Sequence, residues 1–103
     1  MKLQKSFNPL LNFLGERMKV FVKLIAQVAE GIERPEFWVF LEENSTLADL
    51  LKKLEFERRI KIEWDKRNIV ILINGRSAEF LGGVKAKLKD MDRIVIMPVA
   101  AGG

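Results

Sequence analysis

The segment Asn44-Ser45-Thr46-Leu47-Ala48-Asp49-Leu50-Leu51-Lys52-Lys53-Leu54 decides the fold class. Thr46, with Asp49 three residues later, has the form of a capping box in which an acid stands where Glu or Gln is commoner. Leu47, Leu50, Leu51 and Leu54 then recur at helical spacing and make one apolar stripe, with Asp49, Lys52 and Lys53 expected to point away from it. An amphipathic helix of this kind has to cover something, and the sequence on either side reads as sheet.

Upstream, Val20, Val22 and Leu24 alternate with Lys19, Phe21 and Lys23, the pattern of a half-buried strand. Gly31 and Arg34-Pro35 break the chain. Phe37-Trp38-Val39-Phe40-Leu41 follows as a second strand, rich in β-formers and apolar on both faces. Downstream, Phe56 to Asn68 fits two periods. Ile60, Ile62 and Trp64 alternate, while Phe56, Ile60 and Trp64 sit at helical spacing, so a long, partly ordered connection is expected there. Ile69 to Ile73 reads as a buried strand ended by the hairpin signal Asn74-Gly75, with Ser77 to Phe80 as a short returning strand. Gly82-Gly83 breaks it, Leu88 to Asp92 is a tight turn, and Arg93 to Met97 is the last strand, stopped by Pro98. A hairpin, a capped helix, then strands of which the last returns to the middle describe an α+β fold of the β-grasp type, a mixed sheet with one main helix packed across it. Residues 18–99 make that domain. Residues 1–17 read as an N-terminal extension in which Leu3, Phe7, Leu10, Leu11 and Leu14 form a helical stripe, and residues 100–103 as a flexible tail.

Composition narrows the chemistry. The 103 residues suffice for one small core. No apolar run approaches the roughly 18 residues of a membrane span, and no cleavable leader is legible, so a cytoplasmic protein is expected. The absence of Cys, His and Tyr excludes disulfides, thiolate metal sites, a cysteine nucleophile and the commonest general base. No metal ligand set is expected. The formal charge of +4 favours anionic partners, but the signs are mixed, as from Lys52 to Arg59, so a solvated face is favoured over a nucleic-acid stripe. Glu42-Glu43 and Glu55 with Glu57 read as solubilising acids, Lys85, Lys87 and Lys89 as exposed lysines along one edge, and Trp38 and Trp64 as packing residues. Gly82-Gly83 lacks the sequel of a phosphate loop.

The free terminus is different. Gly102-Gly103 follows the final strand almost directly, and glycines can thread a channel too narrow for side chains. The five residues from Val99 reach about 16 Å when extended. The reactive group at their end is the α-carboxylate of Gly103.

Ile71-Leu72-Ile73-Asn74-Gly75-Arg76, Leu88-Lys89-Asp90-Met91-Asp92-Arg93-Ile94 and the ending Pro98-Val99-Ala100-Ala101-Gly102-Gly103 together resemble the ubiquitin-like sulfur carriers. Ile25-Ala26-Gln27-Val28-Ala29-Glu30 narrows the resemblance toward the small subunit of molybdopterin synthase. In that family Gly usually stands where this chain has Met91. The resemblance implies that Gly103 is adenylated with ATP by a ubiquitin-activating-type enzyme and converted to a thiocarboxylate. The tail, with Ala101 and Gly102, would then enter the large synthase subunit and give sulfur to a pterin precursor. The chain itself would be a carrier, not an enzyme, and would bind no cofactor. An apolar outer sheet surface including Phe21, Ile25 and Phe40, with Val99 at the approach to the tail, is expected to dock those partners; burial of that surface under residues 1–17 or under the long connection is the alternative. Related carriers serve thiamine or tRNA thiolation, and related modifiers form isopeptide bonds with lysine. A non-covalent β-grasp adaptor is the more distant reading.

Overall fold

Alternation of side chains builds the sheet. In β1 (Met18–Leu24) every second residue is buried, and in β2 (Glu36–Leu41) Phe37, Val39 and Leu41 face inward while Glu36, Trp38 and Phe40 face out. The two pair antiparallel, with Phe21 opposite Trp38. Helix α1 (Leu47–Arg58) follows, then β3 (Ile69–Ile73), the two-residue β4 (Arg76–Ser77) and β5 (Arg93–Pro98). The computed structural model describes residues 16–64 and 68–99. The strand order is β2-β1-β5-β3-β4. β5 lies between β1, to which it is parallel, and β3, to which it is antiparallel. This is the mixed β-grasp sheet expected from the sequence, with the last strand in the middle. The helical reading of residues 1–15 lies outside the described residues.

The capping box of α1 is complete. The Asp49 N–H donates to Thr46 Oγ1 (3.3 Å), and the Thr46 N–H donates to Asp49 Oδ2 (2.8 Å). The bond from the Thr46 backbone is the main reason that the Asp49 carboxyl is held below its ordinary value of 3.8, with Lys52 adding a small pull in the same direction. A carboxyl depressed by folding contributes stability above its unfolded pKa and loses it as the pH falls through the lower, folded one. The stability advantage of wild type over Asp49→Asn will therefore shrink as the pH is taken from neutrality to below 3.8, measured by denaturant unfolding at each pH.

Leu47, Leu50, Leu51 and Leu54 are buried as their spacing predicts. They share one core with Val20, Val22, Ile71, Ile94 and Ile96. The helix runs past that stripe to Arg58 and ends with Arg59 in the left-handed region at φ 59°. The Arg59 N–H donates to the Glu55 carbonyl and the Ile60 N–H to the Leu54 carbonyl, each at 3.1 Å, which satisfies the last turn. Ile60 and Ile62 then fold back on the core. The first part of the ambiguous 56–68 stretch is therefore helix, and Phe56 points into solvent at 89% exposure.

Three local expectations are corrected. Lys53 does not point away; its Nζ bonds the Glu16 carboxylate and the Phe40 carbonyl, since a long aliphatic stem can lie along the core while its ammonium reaches the edge of β2. The returning strand stops at Ser77, and Ala78–Leu81 winds into a 3-10 turn. Ser77 Oγ accepts from the Glu79 N–H (3.4 Å), and this local bond competes with the sheet ladder. Lys85, Lys87 and Lys89 do not share an extended edge, because Lys85 closes another 3-10 turn, Gly83–Lys85. The backbone beyond it clamps the start of α1, with the Leu47 N–H on the Ala86 carbonyl and the Leu88 N–H on the Ser45 carbonyl, each 2.9 Å.

Two turns at the end of the sheet where β3 stops and β5 starts are tied together by side chains. Asn74 and Gly75 both have positive φ, as a tight hairpin turn requires. Asn74 Nδ2 donates to Asp92 Oδ1 (2.8 Å), and Asn74 Oδ1 accepts from the Arg93 N–H (2.9 Å). Asp92, buried, also accepts from the Lys89 N–H (2.8 Å). Beside it Met91 is held at φ 72°, a conformation that costs a residue with a Cβ about 1–2 kcal/mol. Met91→Gly will raise the unfolding free energy by about 0.5–1 kcal/mol once glycine's larger unfolded-state entropy is subtracted, read by urea titration.

Candidate functional site

The tail leaves from the end of the central strand. Pro98 stands opposite Ile69 at the last register position of β5, and the Val99 N–H donates to the Asn68 carbonyl (3.0 Å). Val99 is 47% exposed. The root of the tail is thus fixed by sheet hydrogen bonds at the interior of the sheet, not at a fraying edge. Ala101, Gly102 and Gly103, the residues expected to enter a partner, lie outside the described residues. Ile25 is half-buried at the same end. Its N–H donates to the Ile96 carbonyl (3.0 Å), extending the parallel pairing one step beyond β1. A groove of about 290 Å³ opens beside the root, with Gln27, Val28, Lys61, Asn68 and Pro98 on its walls.

The face of the sheet turned away from α1 carries an aromatic and cationic ladder. Lys19 Nζ lies 4.8 Å from the centre of the Trp38 ring, Trp38 meets Phe21 edge-on at 5.1 Å, and the Arg93 guanidinium lies 5.4 Å from the Phe21 ring centre. The row crosses β2, β1 and β5. Each such contact contributes about 0.5–1 kcal/mol at an exposed position, so the rings are held in place without being covered. Trp38 remains 40% and Phe40 48% exposed. Leu72, Val95 and Met97, half-buried, continue the surface toward the tail.

Of the expected docking residues, Phe21 and Phe40 lie toward the start of β1, opposite Arg93 of β5 and Lys19 of β1 respectively. Ile25 and Val99 lie at the tail end. The described part of the connection packs its Ile60 and Ile62 on the core and leaves Trp38 and Phe40 open. Leu72, Val95 and Met97 belong to the same face without being singled out for docking from the sequence, and so does Trp38, which the sequence offers only as a packing residue. Their signal was parity, since each alternates with buried neighbours: Phe37 and Val39, Ile71 and Ile73, Ile94 and Ile96. Among the described residues no group of three acids could hold a metal ion, and no helix is long and apolar enough to cross a membrane.

Comparison with known proteins places this geometry. The ThiS family profile matches residues 22–103, from the middle of β1 through the terminal Gly-Gly. The chain belongs to the ThiS family. No curated protein sequence matches this ThiS-family chain. Among solved structures, it is similar to small archaeal modifier protein 1 from Methanosarcina acetivorans, at 29% identity and a TM-score of 0.65, over 84% of this chain and 97% of that one. It is also similar to a chain of the BexX/CysO complex of Amycolatopsis orientalis, at 25% identity and a TM-score of 0.58, over 82% of this chain and 99% of that one. A Pyrococcus furiosus protein assigned as molybdopterin converting factor subunit 1 shares the fold at 20% identity and a TM-score of 0.63, over 81% of this chain and 99% of that one. The ThiS-family chain is thus a ubiquitin-like protein of the sulfur carrier and modifier group.

Proposed function

We propose that this chain carries sulfur on its C-terminal carboxylate for molybdopterin synthesis. The observation that carries the reading is the family match running through Gly102-Gly103, on a tail rooted in the central strand beside an exposed apolar face. The Gly103 carboxylate is a poor electrophile. Its oxygen attacks the α-phosphorus of ATP on a ubiquitin-activating-type enzyme, expelling pyrophosphate and leaving an acyl-adenylate. Hydrosulfide released by a sulfur donor then attacks the acyl carbon; AMP departs with the original oxygen, the S–H proton is lost to water and Gly103 becomes a thiocarboxylate. Ala101 and Gly102 thread the narrow approach to the large synthase subunit, where the sulfur passes to the pterin precursor. The narrowing to the pterin rests on the motifs around Ile25–Glu30 and Pro98–Gly103. The test is reconstitution with the activating enzyme, ATP, a sulfur donor, the large subunit and the pterin precursor. Dithiolene formation dependent on this chain supports the reading; a charged carrier that yields none contradicts it.

The likeness to an archaeal modifier protein favours a second reading, in which the same acyl-adenylate is passed to a lysine amine. The same mixture, supplied with cell proteins instead of the pterin, separates the two. An isopeptide-linked remnant of Gly103 on lysine is the product of modification and is absent from pure sulfur transfer.

The outer face is the proposed docking surface for both partners. Trp38→Asp will weaken binding to the activating enzyme by about tenfold or more, because central aromatic anchors dominate interface energetics, while circular dichroism shows the fold retained. Isothermal titration reads the change, and unaltered affinity would remove this face from the proposal.

A further inference from the structure

The end of the molecule that releases the tail also carries a cationic cleft separate from the outer sheet face. It lies between the loop joining β1 to β2 and the C-terminal end of α1, with a volume of about 660 Å³. Arg34, Arg58, Arg59 and Lys61 line it together with Glu30 and Glu33. None of these six makes an ion pair with another described residue. Arg58 is held in place, its guanidinium 3.9 Å from the centre of the Phe37 ring. Arg59 is the residue at φ 59° that ends α1, where glycine is the ordinary occupant. The cleft adjoins the groove beside the root of the tail: Val28 and Lys61 line both it and the groove that ends on Asn68 and Pro98.

We propose that this cleft seats an acidic peptide segment of the protein that receives the tail. The proposal deepens the carrier reading and rests on it only in that the tail is delivered to a protein. Four cations against two acids select for negative charge. Glu30 and Glu33 disfavour a dense polyanion such as a polyphosphate, whereas a peptide can space its carboxylates onto Arg34, Arg59 and Lys61 and turn backbone N–H groups toward the two glutamates. Val28, Ile32 and Ile60 supply apolar wall for the stems of such a segment. Seated there, the partner grips the carrier beside the root of the tail, which fixes where the tail begins its run.

The test is a titration of the isotope-labelled full chain with hexaglutamate, followed by amide chemical shifts, with inorganic tripolyphosphate as a second probe. Saturable shifts confined to residues 28–34 and 58–61 are expected with hexaglutamate. Arg34→Gln/Arg59→Gly will weaken them at least about fivefold, from the loss of two surface charge pairs. Lys85→Gln/Lys87→Gln, which removes the same net charge elsewhere, will leave them unchanged. Glycine at 59 relieves the strained turn, so the Tm of the first variant will not fall on that account; Arg34→Gln/Lys61→Gln provides a second variant that leaves the turn untouched. Equal weakening by the Lys85/Lys87 pair, scattered shifts, or tripolyphosphate binding these residues more tightly than hexaglutamate would each overturn the proposal. No activation chemistry enters this titration, so its outcome is independent of whether Gly103 is ever thiolated.

Discussion

Leu50→Ala will lower the free energy of unfolding by about 2–5 kcal/mol, the range for emptying a buried leucine site. Leu50 has no exposed surface, and neither do Val20, Val22, Ile94 and Ile96 in the same core cluster. The sheet beneath cannot close over the gap without disturbing hydrogen-bonded strands on both sides of β5, so the cavity persists. The loss is a large share of the 5–15 kcal/mol typical of a small domain. Urea unfolding will show it as a lower midpoint at an unchanged slope. Phe56→Ala, on the same helix but 89% exposed, will change stability by less than about 0.5 kcal/mol. A similar cost at both positions would mean that α1 does not pack by its leucine stripe.

That stripe shows why so much of the fold was legible. Four leucines at helical spacing, a capping pair and alternating strands on either side are local patterns, and each burial decision agrees with its neighbours. Where the reading failed, a single long-range or local bond decided the outcome. Ser77 to Phe80 has the composition of a strand, but the Ser77 hydroxyl bonds the Glu79 N–H and turns the chain. Lys53 carries the label of a solvent residue, yet its stem is long enough to bring the ammonium to the Phe40 carbonyl across α1 and β2. Phe56, Ile60 and Trp64 shared a helical spacing, and only the left-handed Arg59 separates Phe56, on the helix, from the other two. The site was legible in part. Parity placed Phe21 and Phe40 outside the sheet and would have added Trp38. The cationic cleft was not legible, because residues 28–34 and 58–61 are joined only by the return of α1 to the top of β2.

Deleting Gly103, appending an Ala after it, or replacing it with Ala will each abolish useful sulfur loading without unfolding the protein. The described core runs from Met18 to Ile96, so none of the three touches it. Deletion and addition move the terminal carboxylate by about 3.5 Å of extended chain. A misplacement of about 1 Å can already cost on the order of 100-fold in a positioned reaction. Gly103→Ala preserves the reach but places a Cβ beside the reacting carbonyl, which the proposed threading of a narrow passage would exclude. Loading rates for the three variants, compared with wild type under the same activating enzyme, should therefore fall by at least about 100-fold, with far-UV circular dichroism and Tm unchanged.

Sulfur loading at Gly103 is read most directly from the mass of the intact chain after incubation with an activating enzyme, ATP and a sulfur donor. Wild type is predicted to gain one exchange of oxygen for sulfur, located at Gly103 by fragmentation and dependent on ATP. An unchanged mass under conditions where the activating enzyme forms the acyl-adenylate, or an untrimmed Ala-extended chain that loads as well as wild type, would contradict it.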